Sequence, residues 1–172
     1  MADLASRIRA VPDFPAPGIV FRDVMPLLAD ADGFAEAIEA LAAPWRGMAL
    51  QAVVGIEARG FIFGAALAQA LGVGFVPLRK PGKLPGPLHE VEYGLEYGRD
   101  RLQVQADALA AGARVLLVDD VLATGGTLAA AAKLLQALQV EIVGVTVLVE
   151  IEALGGRARC AFAQTLVAVL RF

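Results

Sequence analysis

Five apolar runs, largely alternating with stretches of helical periodicity, constrain the fold of this chain more than any other feature. The runs are "AVVGI" (52–56), "GFVPLR" (74–79), "RVLLVDD" (114–120), "EIVGVTVLVE" (141–150) and "TLVAVL" (165–170). Their nearly continuous apolar character suits parallel strands covered on both faces. Between them, Phe34, Ile38 and Leu41 recur at helical spacing, as do Phe61, Ala65, Ala68 and Leu71, and Leu128, Ala131, Leu135 and Leu138. Strands alternating with helices over 172 residues predict a single α/β domain, residues 1–172, built on an open, mainly parallel sheet flanked by helices. No internal repeat or low-complexity tract interrupts it.

Hydrophobic residues make up 58% of the chain and the mean hydropathy is +0.63, so a membrane span has to be considered. The best candidate, "FIFGAALAQALGVGFVPL" (61–78), is barely long enough to cross a bilayer and is interrupted by Gln69, Gly72, Gly74 and Pro77. A helix followed by a strand accounts for it better. The opening "MADLASRIRAV" has no apolar run of signal-peptide type, and a cytoplasmic location is expected. The excess of alanine and leucine predicts closely packed helices and some surface given to an oligomer interface.

A net charge of −3 argues against general affinity for nucleic acid. Cys160, the lone cysteine, excludes an internal disulfide and reads as a small core residue. His89 is the lone histidine, which leaves oxygen-bound Mg²⁺ as the metal to expect.

Two segments lie outside the alternation. Residues 1–30, with Pro12, Pro15, Pro17 and Pro26 around "GIVFRDV", read as an irregular cover containing one extended piece. Residues 80–101 combine Pro81, Gly82, Pro85, Gly86, Pro87, Gly94 and Gly98 with many charges. They read as a long, polar, mobile loop, and loops of that length are usually functional.

Residues 115–127, "VLLVDDVLATGGT", carry the chemistry. Asp119 and Asp120 repel each other at the end of a buried strand, which costs stability unless something binds there. In open α/β sheets ligands bind beyond the carboxyl ends of the strands. Ala123, Thr124, Gly125, Gly126 and Thr127 then open the next helix. Successive amides of a Gly-rich turn, backed by a helix N-terminus, cradle a phosphate dianion. The carboxylates accept hydrogen bonds and sugar hydroxyls donate them, so the segment suits a ribose 5-phosphate. No lysine follows the glycines as a Walker loop requires. Gly72-Val73-Gly74 lies between a helix and a strand, the wrong order for a dinucleotide fingerprint. A solvated strand terminus would explain an isolated Asp-Asp but not this whole context.

The same thirteen residues resemble the phosphoribosyl-pyrophosphate signature of type I phosphoribosyltransferases. "PDFPAPGIVFRDVMPLL" (12–28), "GIEARGFIFGAALA" (55–68), "LRKPGKLPG" (78–86) and "LEYGRDRLQVQ" (95–105) resemble, in order and spacing, the adenine phosphoribosyltransferase family. The resemblance runs from about Ile8 to Glu150. It implies transfer of a 5-phosphoribosyl group from 5-phosphoribosyl 1-pyrophosphate to adenine, giving AMP and pyrophosphate. It also implies Mg²⁺ held mainly by substrate, usually in a homodimer.

By the same resemblance, residues 1–30 form a hood and 80–101 a flexible catalytic loop. Glu57, Ala58 and Arg59 bind pyrophosphate, joined by the cations Arg79, Lys80 and Lys83, some acting across the dimer interface. Val20, Phe21 and Arg22 surround adenine, with the Arg22 backbone reading the base edge. Glu96 matches the glutamate assigned to proton transfer, and Arg59 is counted with it as catalytic.

The chemistry agrees with these roles. A leaving pyrophosphate needs cations and Mg²⁺ where charge develops. An oxocarbenium-like state at C1 needs a closing cover that excludes water. A glutamate on that cover could be dry enough for its pKa to rise toward neutral. On residue type alone, however, Phe21 is better read as core and Lys80 equally as a solvated charge. Enzymes for 6-oxopurines present a lysine just after the strand that follows the phosphate helix, whereas "VTVLVEIEAL" (145–154) offers Glu150 and no lysine. Two other functions stay open: a non-catalytic sensor of the phosphoribosyl donor, and an enzyme for xanthine or orotate.

Overall fold

The computed structural model describes residues 4–95, 98–163 and 165–172. Five parallel strands form the central sheet in the order β4-β3-β7-β8-β9, with β3 at Ala52–Ile56, β4 at Gly74–Leu78, β7 at Arg114–Leu122, β8 at Glu141–Glu150 and β9 at Leu166–Arg171. Each expected run is a strand. The tested span 61–78 divides into α3 (Gly60–Leu71) and β4, and no helix among the described residues is long and apolar enough to cross a membrane.

Both faces of the sheet are buried, which is where the high apolar content goes. Val54, Ile56, Leu117 and Val147 face a core closed by α4 (Gly126–Ala137), with Leu102 and Val104 completing it. Val53, Leu116, Val118 and Leu148 belong to the opposite core with α1 (Met25–Ala29), α2 (Ala31–Ala42) and α3. This alternation of neighbours between two cores is the period of a strand. Cys160 is a buried member of the first core.

Local signals set the helix limits. The Asp30 carboxylate caps α2 by accepting from the Gly33 amide at 2.7 Å, an interaction worth about 1 kcal/mol. Gly72 ends α3 in the left-handed region at φ 69°. The buried face of α3 is Gly60, Phe63, Gly64, Leu67 and Ala68, so the expected stripe is displaced and Ala65 is exposed. With apolar residues almost all round, the spacing of that helix did not identify its inner face.

The two segments outside the alternation are hairpins. Strands β1 (Arg9–Pro12) and β2 (Val20–Asp23) pair antiparallel, and Asp23 accepts from Arg9 Nε at 3.0 Å. The 80–101 excursion is not an irregular loop. It holds β5 (Leu88–Leu95) and the first half of β6 (Gly98–Gln105), paired antiparallel from Leu88↔Gln105 to Leu95↔Gly98. Val91 and Tyr93 pack against the first core, so one side of this hairpin is wall rather than cover.

Candidate active site

Strands β3, β7 and β8 end at one edge of the sheet, and the turns leaving them floor a cleft of about 900 Å³. Pairing of β3 with β7 stops at Gly55↔Val118, while β7 continues beside β8 to Leu122↔Glu150. Asp119 and Asp120 therefore lie in the overhanging end of β7, at the strand end where the sequence put them. Both line the cleft.

The acidic pair is held from the α3 side. Arg59, in the turn before α3, donates from Nε to Asp120 Oδ2. The Asp120 amide donates to Asp119 Oδ1 at 2.9 Å. Gly60 leaves room for that carboxylate, since a Cβ there would meet Asp119 Oδ1 at 2.8 Å. Burial pushes the Asp119 carboxyl well above the usual carboxylate range, and the charge of Asp120 pushes it further.

The turn after β7 brings Ala123 and Thr127 into the same cleft. Ala123, Thr124, Gly125, Gly126 and Thr127 line an adjoining hollow of about 400 Å³ that also touches Asp119. Gly125 is the N-cap of α4 at φ 78°, no side chain caps the helix, and its first turn carries no acid. The first amides of a helix have no intrahelical acceptor, so they are available to an anion. The turn is backed by the 3-10 segment Gly156–Cys160: a Cβ on Gly125 would meet the Gly156 carbonyl oxygen at 2.5 Å.

Cations gather around Glu57, which follows β3. Its carboxylate accepts from Lys83 Nζ at 2.8 Å, the Lys80 amide at 2.7 Å and the Arg79 guanidinium at 3.4 Å. Burial alone would raise the Glu57 pKa, but Lys83, the Lys80 amide and Arg79 together lower it to about 2. The Glu57–Ala58 peptide is cis. Lys80 Nζ pairs with Asp100 of β6 and lies 3.1 Å from the Tyr93 hydroxyl of β5, which ties the hairpin to the end of β4. Glu57, Ala58, Arg59 and Lys80 line the cleft, whereas Arg79 and Lys83 connect to it through Glu57.

Val20, Phe21 and Arg22 of β2 form one wall of the cleft, with Val20 and Phe21 its apolar part. Phe21 is not core. It belongs to neither buried cluster, packs edge-on against Phe14 at 5.2 Å, and lies under the Arg59 guanidinium at 5.6 Å. Arg22 stacks over the Phe172 ring at 4.1 Å. Lys80 is likewise paired within the cleft and is not a solvated surface charge. Glu96 lies outside the described residues.

Sequence reasoning missed several lining residues. Ile151 and Leu154 follow β8, and the rule that located Asp119 after β7 would have located them too. Tyr93 and Asp100 lay within the segment read as loop. Phe172 has no local signal, being brought to the cleft by the pairing of β9 with β8. Glu150 points to Arg157, accepting at 2.9 Å from Nε, so β8 offers Ile151 to the cleft and not a cation.

The phosphoribosyl transferase domain family matches residues 28–159. Adenine phosphoribosyltransferase from Xanthomonas campestris pv. campestris (strain 8004) is 58% identical over 171 residues, 99% of this chain and 92% of the relative. The crystal structure of adenine phosphoribosyltransferase from Thermoanaerobacter pseudethanolicus has a TM-score of 0.94 at 46% identity, covering 98% of each chain. That of the Giardia lamblia enzyme complexed with 9-deazaadenine also has a TM-score of 0.94, at 40% identity, covering 99% of this chain and 97% of the other.

Proposed function

The chain belongs to the phosphoribosyltransferase family, in its adenine phosphoribosyltransferase branch, and from that premise we propose how its own residues perform the transfer. The enzyme moves the 5-phosphoribosyl group from 5-phosphoribosyl 1-pyrophosphate to adenine, giving AMP and pyrophosphate in purine salvage. One observation carries the assignment of roles: a single cleft unites the acidic pair, the Gly-rich turn, a cation cluster and an apolar slot.

The amides of Gly125, Gly126 and Thr127, with the Thr124 and Thr127 hydroxyls, bind the 5-phosphate. Asp119 and Asp120 accept from the ribose hydroxyls. Arg59 and Lys80 meet the charge that develops on the departing pyrophosphate, where fixed cations lower the barrier most. Glu57 gathers Lys83 and Arg79 beside them, at the pyrophosphate end of the cleft. Adenine lies between the β2 wall of Val20 and Phe21 and the Ile151 side, with the Arg22 backbone at its edge. Glu96 accepts the proton that adenine loses.

Mg²⁺ fits this site as a companion of the donor. Among the described residues no group of three or more His, Cys, Asp or Glu side chains is arranged to hold a metal. Donor oxygens and water would then supply most ligands, with Asp119 or Asp120 the protein oxygens at hand. Bound there, the ion would neutralise phosphate charge. A homodimer is supported by exposed apolar Phe14, Met25 and Ile62. A cytoplasmic site of action follows from the donor and AMP, charged esters that a bilayer excludes.

A spectrophotometric assay tests the reading. Purified protein with Mg²⁺ and the donor converts adenine to AMP and leaves hypoxanthine, guanine, xanthine and orotate unchanged. Turnover of any of the latter at a comparable rate would refute the base assignment, and donor binding without turnover would make the protein a sensor.

A further inference from the structure

We propose that Arg159 is a further binding residue for the 5-phosphate, its guanidinium reaching the anion from the chain segment packed against the turn. The proposal rests on the reading of residues 123–127 as the phosphate seat. The 3-10 segment Gly156–Cys160 lies directly against that turn: a Cβ on Gly125 would meet the Arg159 Cβ at 3.1 Å as well as the Gly156 carbonyl. From there the side chain runs over the first turn of α4. A Cβ on Gly126 would meet the Gly94 carbonyl oxygen at 3.4 Å, and then Arg159 Nη1 and the Thr124 hydroxyl oxygen at 3.9 Å each. Guanidinium and hydroxyl thus flank one spot at the helix start.

Electrostatics favour an anion at that position. The N-terminus of α4 carries the positive end of the helix dipole, with no acid in its first turn and no side-chain cap. Arg159 adds a full positive charge there, and its guanidinium makes no ion pair or hydrogen bond among the described residues. Its neighbour differs. Arg157 is used up structurally, donating to Glu150 at 2.9 Å and to the Leu166 carbonyl at 2.9 Å. The next residue, Cys160, is buried in the core and fixes the backbone from which Arg159 projects. Two positive features side by side call for an anion, and a planar guanidinium binds phosphate oxygens with two parallel N–H groups.

Binding of AMP and of adenosine to the full chain, measured by calorimetry, tests this. Arg159→Ala is expected to weaken AMP about tenfold, the effect of losing a charge-assisted hydrogen bond, and to leave adenosine unchanged. The donor KM rises in parallel while the adenine KM holds, and Arg159→Lys recovers part of the loss. Arg159→Gln removes the charge but keeps a polar side chain, and gives the same readout if the alanine variant folds poorly. Equal weakening of AMP and adenosine, or AMP affinity at the wild-type level, would overturn the proposal. If the wild type bound adenosine as tightly as AMP, or if Thr124→Ala with Thr127→Ala left AMP unaffected, the seat itself would be misassigned. That outcome would fault the reading of the turn, and not Arg159 alone.

Discussion

Asp119 and Glu57 are carboxylates on the same floor, yet their surroundings shift them in opposite directions. The Asp119 carboxyl is raised by burial and by Asp120, so holding it ionised works against the fold. A raised folded-state pKa gives stability that is complete below the ordinary value of 3.8 and is lost as pH climbs toward the folded value. Asp119→Asn therefore raises the melting temperature at neutral pH, and the gain disappears on acidification below that value. It also weakens donor binding, because the ribose loses an acceptor. Glu57 has the other sign. Its pKa of about 2 means stability present above 4.5 and lost as pH falls through about 2. Glu57→Gln costs about 2 kcal/mol at neutral pH, for hydrogen bonds to charged groups, and the deficit narrows in acid. Melting curves of both variants between neutral and acid pH check the two signs together. A destabilised Asp119→Asn at neutral pH would contradict the account. The acidic pair was legible because two adjacent acids after an apolar run are costly. Its Arg59 partner, 61 positions away, was legible only as a cation at the same sheet edge.

At the scale of elements, the cleft exists because β7 outruns β3 and the backbone of the 3-10 segment presses on the turn that follows. Gly156 makes that contact possible: a Cβ there would collide with the Ala123 carbonyl oxygen and reach the Gly125 nitrogen at 2.9 Å. Gly156→Ala should push the Ala123–Gly125 backbone away, costing about 1–3 kcal/mol as overpacking does, and should raise the donor KM more than the adenine KM. Thermal melts and steady-state kinetics on one preparation measure both. The five sheet strands were legible from apolar runs of strand length, since a parallel sheet buries both faces of each. The β5–β6 hairpin was not. Val91 and Tyr93 alternate with Glu90 and Glu92 at the period of a strand, but the density of glycine and proline around them outweighed that pattern. The 3-10 backing was also missed, because close backbone contact between Gly156 and the turn is long-range and leaves no periodic trace.

For the molecule as a whole, the question is how a chain of net charge −3 attracts a donor that is itself a polyanion. The answer lies in how the charge is distributed. Arg59, Arg79, Lys80 and Lys83 converge at one sheet edge, where Asp120, Asp100 and Glu57 already hold them. Each cation is therefore oriented before the donor arrives, and on the proposed reading the anion competes with a fixed carboxylate for Arg59 and Lys80. Pre-oriented charges need little rearrangement at the moment of reaction, which favours catalysis over tight ground-state binding. The surface proposed for adenine is different, the apolar wall of Val20 and Phe21. The two substrates should consequently respond differently to salt. Screening lengths shrink to about 10 Å at 0.1 M and about 3 Å at 1 M, which weakens the approach of the donor and leaves a neutral base indifferent. Raising NaCl from about 50 to about 500 mM should lift the donor KM several-fold while the adenine KM stays within about twofold, at constant free Mg²⁺. Parallel shifts of both constants would mean that salt acts on the fold as a whole. A flat donor response would mean that the cations at this edge are structural partners of Glu57, Asp100 and Asp120 and do not meet the leaving group.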